Sequence, residues 1–89
     1  MITIQLNPKN KKQPYRVTNS GKNGEPLKPS ETFTTKQSAW KNIIADAKEN
    51  YFGCSHVFVM DMTVKKPCGY WYNIATKAKQ VGYKDQQPV

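Results

Sequence analysis

The chain has 89 residues, enough for one small domain with a modest core, and an aromatic content of 11% that excludes a fully disordered chain. Its formal charge of +8 excludes an acidic mimic of nucleic acid and favours anionic partners, although such a charge also serves solubility alone. No apolar run approaches the roughly 20 residues of a membrane span and no signal-peptide pattern is present, so we expect a cytoplasmic protein with no membrane partner.

A first strand is predicted over residues 1–6. Apolar and polar residues alternate there, which directs Ile2, Ile4 and Leu6 toward a core. The loop that follows is strongly basic, and its lysines are candidates for phosphate contact: Lys9, Lys11 and Lys12. The ordinary alternative is a solvated loop tip without a ligand.

A second strand is predicted over residues 15–19, followed by a tight turn. Asn23-Gly24 favours this turn because both residues accept positive φ. Residues 25–32 are predicted to return as a third strand. Pro26 and Pro29 deny that strand two ladder donors, so it is expected at a sheet edge.

One strong helix is predicted over residues 34–53. Thr34 or Thr35 can cap its start, and Gln37 gives a loose capping-box pattern with Thr34. Gly53 suits the stop at its far end. The residues at helical spacing that form its apolar face are Trp40, Ile43, Ile44, Ala47 and Tyr51.

The remainder predicts a hairpin. Strands are expected over residues 56–63 and 70–76, joined by a turn that contains Lys65 and Lys66. In the second strand, Trp71 points to the face opposite its neighbours Tyr70 and Tyr72. We expect residues 1–80 to form the domain and residues 81–89 to form a frayed tail.

The predicted fold class is α+β. It consists of a single antiparallel β-sheet, built from a meander and a C-terminal β-hairpin, with one α-helix packed on one face. The helix is expected on the sheet because a lone amphipathic helix has nothing else to cover.

Residues 15–50 resemble one repeat of the YegP-like family, small bacterial proteins built around a domain of unknown function. The residues that carry the resemblance are Arg16, Asn23-Gly24-Glu25, Ser30-Glu31, Phe33-Thr34-Thr35-Lys36, Lys48 and Asn50. The resemblance implies a hairpin packed against a helix. It implies no catalytic residue and no ligand.

The candidates for metal binding or thiol chemistry are Cys54, His56, Asp61 and Cys68. Metal sites need several converging ligands, and here no second pair follows Cys54-Ser55-His56 at a fixed spacing. A cysteine nucleophile with His56 as its base would lack a third group to orient the imidazole. We therefore expect no metal, no cofactor and no enzymatic activity.

Aromatic and basic residues interleave along the strands, as in proteins that hold single-stranded nucleic acid. For Trp40, Tyr70 and Tyr72 the alternative is a place in the core under the helix. Trp71, on the other face, is expected to be partly exposed or covered by a partner. Tyr83 belongs to the same aromatic group. The residues predicted to bind nucleic acid or a partner are Lys9, Lys11, Lys12, Arg16, Lys65, Lys66, Trp71, Lys77 and Lys79.

The sequence therefore predicts a small basic, non-enzymatic binding protein that contacts nucleic acid or a nucleoprotein complex. The alternative is a protein-interaction module, such as a phage or mobile-element inhibitor of a host protein machine. Salt dependence separates the two, because phosphate binding weakens steeply as salt rises and an apolar interface does not.

Overall fold

A computed structural model of the chain describes residues 1–21, 23–50 and 54–88. Within these residues the fold is α+β, with one helix and one open, mixed six-stranded sheet. The predictions for Tyr51 and Gly53 lie outside the described residues. In chain order the elements are β1 (Ile2–Leu6), β2 (Tyr15–Asn19), β3 (Glu31–Phe33), α1 (Lys36–Asn50), β4 (His56–Asp61), β5 (Cys68–Asn73) and β6 (Lys79–Val81).

The strands lie in the order β3-β2-β1-β4-β5-β6, and the central pair is parallel. Ile2 lies beside Val59 and Ile4 beside Asp61, whereas the other neighbouring strands are antiparallel. The prediction of an antiparallel sheet is therefore wrong at its centre. The reason is the connection: from the edge strand β3, α1 carries the chain back across the sheet to β4, which lies beside β1. Parallel strands need a crossover connection of this kind.

Alternation along the strands creates an inner face, which we define as the sheet face whose side chains cluster with α1. The main cluster joins helix and sheet residues, namely Ala39, Trp40, Ile43, Ile2, Ile4, Val17 and Val59. A second cluster contains Ala47, Val57 and Tyr72. Full burial of one such aliphatic side chain contributes about 1.5–3 kcal/mol, so these clusters are the principal apolar contribution to stability. The opposite side is the outer face.

The helix begins at Lys36, directly after Thr35, which is the second of the two predicted caps. Thr35 is the cap, because its Oγ1 accepts a hydrogen bond from the backbone N–H of Ser38 at 3.1 Å. Ser38 thus takes the position that Gln37 was predicted to fill for Thr34. Ala39 is fully buried although the apolar pattern missed it, and Ile44 is only half-buried. The buried stripe is therefore rotated slightly from the predicted one.

The third strand is shorter and later than predicted. Glu31–Phe33 pairs with β2, whereas residues 25–30 make only an isolated bridge between Ser20 and Pro26. The turn before that bridge uses Gly24 at φ 80°, with its N–H donating to the Gly21 carbonyl at 3.0 Å. Proline has no N–H for the ladder, which explains why regular pairing starts only after Pro29.

The strand β6 was not predicted, because Lys79-Gln80-Val81 has no buried side chain to mark it. It pairs with β5, with Trp71 opposite Gln80. The preceding strand ends at Asn73, whose Oδ1 accepts the backbone N–H of Ala75 at 2.9 Å and so starts the turn.

Two further features of the described residues complete the fold. Leu6, predicted to face the core, is 44% exposed because β1 extends there beyond the main cluster. No helix in the described part of the chain has the length and apolar character of a transmembrane span.

Candidate nucleic-acid interface

The parallel pairing of β1 with β4 brings two basic loops together. Neighbouring parallel strands have their carboxyl ends at the same end of the sheet, so the loops over residues 7–14 and 62–67 leave the sheet side by side. The N–H of Met62 donates to the Ile4 carbonyl at 2.8 Å, which holds the second loop against β1. We call the exposed lysines of these loops the lysine end: Lys9, Lys11, Lys12, Lys65 and Lys66.

The first loop is shaped by its asparagines. Asn7 Oδ1 accepts the backbone N–H of Lys9 at 3.1 Å, and Asn10 Oδ1 accepts that of Gln13 at 3.0 Å. The N–H of Asn7 also donates to the Pro14 carbonyl at 2.7 Å, which closes the loop. Because these bonds satisfy the backbone locally, the lysine side chains stay exposed.

Beneath the second loop lies a buried carboxylate. Asp61 is 1% exposed, and its Oδ1 accepts both the N–H (2.9 Å) and the hydroxyl (2.6 Å) of Thr63. Its other oxygen lies 2.5 Å from Lys36 Nζ. Burial raises the pKa of this carboxyl, but the hydrogen bonds from Lys36 and Thr63 together outweigh burial and hold the pKa below its usual value. The negative charge next to the lysine end is thus neutralised by Lys36, which leaves the lysine-end charges unopposed.

The lysine end carries a concentrated positive charge. Among the described residues, none of its five lysines takes part in an ion pair. Elsewhere Lys28 is held 2.6 Å from Asp46, so the ion pairs that do form use other lysines. Unpaired cations clustered at one edge produce a local field that attracts polyanions.

Arg16 extends the positive surface from the lysine end onto the outer face. Its Nε and Nη2 donate to Ser30 Oγ at 3.1 and 2.9 Å, which fixes the guanidinium while leaving its other N–H groups available. A depression of about 370 Å³ lies between Arg16 and the starts of the two basic loops, lined by Gln5, Leu6, Asn7, Arg16 and Met62. An anion at this position would meet Arg16 within the field of the lysine end.

Two of the predicted cations lie elsewhere. Lys77 occupies the turn between β5 and β6, at the opposite end of the sheet, with φ 64°. Lys79 lies on the helix side, where its Nζ is 4.4 Å from the ring centroid of Trp40 and 5.6 Å from that of Tyr70. This arrangement is a cation–π contact that holds the side chain against the protein. The structure therefore separates both residues from the lysine end.

Trp71 lies on the outer face, but it is only 8% exposed. Its Nε1 donates to the main-chain oxygen of Tyr83 at 2.8 Å, and its ring meets Phe58 edge-on at 5.2 Å between centroids. The expectation that Trp71 is partly exposed or covered by a partner is therefore wrong, because the chain's own segment after β6 covers it. Gly82 permits this close approach, since a Cβ there would lie 2.9 Å from Trp71 Cδ1.

The other aromatic residues of the inner face belong to the core. Tyr72 is 1% exposed and Trp40 is 8% exposed. Tyr70 is half-buried and packs edge-on against Trp40, with 5.9 Å between ring centroids. Trp40 and Tyr72 are buried and Tyr70 packs against the main cluster, as the core interpretation of these three residues expects.

The residues considered for metal or thiol chemistry do not converge. Within residues 1–21, 23–50 and 54–88, no three His, Cys, Asp or Glu residues lie in a group that could hold a metal ion. His56 and Cys68 lie at opposite ends of the β4–β5 ladder, because His56 faces Asn73 and Asp61 faces Cys68. The imidazole instead contacts Ser55, with 2.8 Å between Nδ1 and Oγ.

Thiol titration of the denatured, unreduced protein is expected to find two free thiols. Cys54 precedes β4 and Cys68 starts β5 at the far end of the ladder, and both cysteines are free in the structure. A disulfide needs Cα atoms within about 7 Å, a distance that this register does not allow. A titration that finds no free thiol would contradict the β4–β5 register.

Sequence reasoning placed Tyr83 among the aromatic residues but not among the binding residues. The structure leaves it 73% exposed on the outer face, beside an apolar depression. The signal for Tyr83 as a binding residue was weak, because its stretch has few apolar residues and the nearest of them, Val81, is itself exposed.

Comparisons of the chain with models of protein families, with curated proteins and with solved structures found no match. The resemblance of residues 15–50 to the YegP-like family stays a prediction from those residues.

Proposed function

We propose that this protein is a non-enzymatic binding protein that contacts nucleic acid, or a nucleoprotein complex, through the lysine end and Arg16. The observation that carries the proposal is that two separate basic loops lie side by side at one end of the sheet, where β1 and β4 end. The lysines there are exposed and form no ion pair with any described residue. Phosphate groups are the ligands that such a cluster attracts most strongly.

We propose in addition that α1 covers one face of the sheet and that the β4–β5 hairpin supports the second basic loop. The side chains of the main cluster favour this arrangement, since helix and sheet residues share it. The helix then leaves the outer face and the loop edge free for a ligand. Arg16 lies where that face meets the lysine end.

Counter-ion release predicts how steeply binding to nucleic acid should weaken as the salt concentration rises. If the five lysines of the lysine end and Arg16 each neutralise one phosphate, the logarithm of the binding constant should fall with the logarithm of the salt concentration. The expected slope is about −5 for duplex DNA and about −4 for a single strand. A slope near zero would contradict binding through phosphates.

The test is a pair of charge reversals at the lysine end. The variant Lys65→Glu/Lys66→Glu is expected to keep its fold, because both side chains are exposed in a loop, and to lose at least tenfold in affinity for an oligonucleotide at low salt. Fluorescence anisotropy with a labelled oligonucleotide measures the loss.

The matched control is Lys41→Glu/Lys48→Glu. It changes the net charge equally but places the change on exposed positions of α1. If the control loses as much affinity as the loop variant, binding follows net charge alone and the lysine end is not the interface. If neither variant loses affinity, the proposed function fails.

A second candidate function is a protein-interaction module that uses the same end of the sheet. Three apolar side chains, Leu6, Met62 and Val64, are each 44% exposed there, among the lysines. An apolar centre with a charged rim is common at protein interfaces. A pull-down with and without nuclease separates the two candidates, since a direct protein partner survives nuclease treatment.

A further inference from the structure

An apolar depression lies on the outer face beside the second basic loop. Its volume is about 360 Å³, within the range of small-ligand sites. The residues that line it include Phe58, Met60, Pro67, Gly69, Gly82 and Tyr83. Tyr83 is 73% exposed, so the depression opens toward solvent at this residue.

Two glycines line the depression. The N–H of Gly82 donates to the Gly69 carbonyl at 3.1 Å, which brings the segment after β6 close to β5. A Cβ on Gly69 would lie 2.4 Å from Phe58 Cζ and 2.8 Å from the Gly82 oxygen. The missing side chains of Gly69 and Gly82 leave room for the rings of Phe58 and Trp71, which pack directly on the backbone there and hold the segment of Tyr83 against the sheet.

Positive charge flanks the depression. Pro67, which forms one wall, directly follows Lys65 and Lys66, and Tyr83, which forms another, directly precedes Lys84. A ligand with a flat apolar ring and an attached anionic group matches both features. A second copy of this chain is a poor match, since each copy carries a formal charge of +8 and the two would repel each other.

We propose that this depression binds one base of a single-stranded nucleic acid against the ring of Tyr83, while Lys65 and Lys66 contact its phosphates. The inference rests on the proposed function and narrows it to strands with accessible bases. A base stacked inside a duplex cannot enter the depression. An exposed aromatic ring beside cations is the arrangement by which proteins hold single strands without reading their sequence.

The test compares a single-stranded oligonucleotide with an abasic sugar–phosphate strand of the same length. The wild-type protein is expected to bind the strand with bases more tightly, on the order of 5- to 150-fold for one stacked base. The variant Tyr83→Ala should lose most of this preference and keep its affinity for the abasic strand. The control Leu27→Ala, at an exposed apolar residue (59%) beyond the opposite end of the sheet, should change neither affinity.

Tyr83→Ala is expected to preserve the fold. Trp71 donates its hydrogen bond to the main-chain oxygen of residue 83, which the substitution leaves in place. The near-ultraviolet circular dichroism of the tryptophans therefore reports whether the segment still covers Trp71. A variant with the wild-type spectrum and no preference for bases supports the proposal.

Other outcomes would overturn it. Equal wild-type affinity for the two strands would show contact with phosphates alone, so the inference would fail while the proposed function stands. Tighter binding of duplex than of single strand would also overturn it. A dimer by light scattering that Tyr83→Ala dissociates would assign the depression to a second copy. If no nucleic acid binds even at low salt, the proposed function fails with the inference.

Discussion

The substitution Ile43→Asp is expected to unfold the protein. Ile43 is 2% exposed and belongs to the cluster that contains Ile4 and Val59. An aspartate there would place an unpaired carboxylate among apolar side chains, at a cost of several kcal/mol. Small domains have a total stability of about 5–15 kcal/mol, so little of the folded state should remain.

A series along one helical turn gives this prediction its internal controls. Ile44 is half-buried and Ala45 is exposed, so Ile44→Asp should cost less than Ile43→Asp and Ala45→Asp least, about 0.7 kcal/mol from helix propensity. Thermal unfolding followed by circular dichroism ranks the three variants. A cooperative transition of Ile43→Asp at the wild-type temperature would show that this face of α1 does not contact the core.

The substitution Lys36→Met should destabilise the protein by about 3 kcal/mol at neutral pH. It removes the ammonium that lies 2.5 Å from the buried Asp61 carboxylate. Breaking a buried ion pair on one side typically costs about 3–5 kcal/mol, and the lower end applies because the Lys36 side chain is 36% exposed. Urea unfolding measures the loss through the fluorescence of Trp40 and Trp71, both 8% exposed.

The same ion pair predicts a dependence on pH. The pKa of Asp61 is lower in the folded protein than the unfolded value of about 3.9. Its contribution to stability is therefore present above that unfolded value and is lost as the pH falls through the folded pKa. In Lys36→Met the carboxyl lacks its cation, so its folded pKa should rise and the loss of stability in acid should shrink.

The control for this effect is Lys41→Met. Lys41 is exposed on the same helix and forms no ion pair with a described residue. Its substitution should change stability by less than about 0.5 kcal/mol and leave the acid dependence as in the wild type. Equal acid losses in the wild type and Lys36→Met would show that Asp61 does not depend on this cation.

Local sequence patterns were sufficient for most individual elements. The alternation of apolar and polar residues at Ile2 and Ile4 identified β1, because such alternation is visible in the sequence and marks a strand with one buried face. The spacing of Trp40, Ile43 and Ala47 likewise identified α1, since all three are buried. Small residues gave no such signal, so Ala39 was missed although it is fully buried.

The pairing of distant strands could not be predicted in this way. Alternation states which residues face a core, but it does not state which strand lies alongside. A meander followed by a hairpin satisfies the same patterns as the observed order, in which β4 lies parallel to β1. The strand β6 carries no buried residue, and no local pattern identified it.

The candidate interface, like the fold, could be predicted from the sequence only where local patterns decide it. Sequence alone identified both basic loops, but it could not show that they lie at the same edge, because that depends on the β1–β4 pairing. The position of Trp71 opposite Tyr70 and Tyr72 followed from strand alternation. The segment that covers Trp71 is held by the hydrogen bond from Trp71 to the Tyr83 main-chain oxygen and by the close packing that Gly69 and Gly82 permit. No sequence pattern predicts those contacts.

The parallel pairing of β1 with β4 also bears on how the chain folds during synthesis. While a ribosome makes the chain, β1 can pair early with β2. The other edge of β1, which pairs with β4 in the folded protein, stays open until β4 has emerged. Strand edges left open in this way recruit other strands, and contacts between distant segments form slowly. The β1 edge is thus open from its pairing with β2 until β4 docks, and we expect the nascent chain to be most prone to aggregate in this interval.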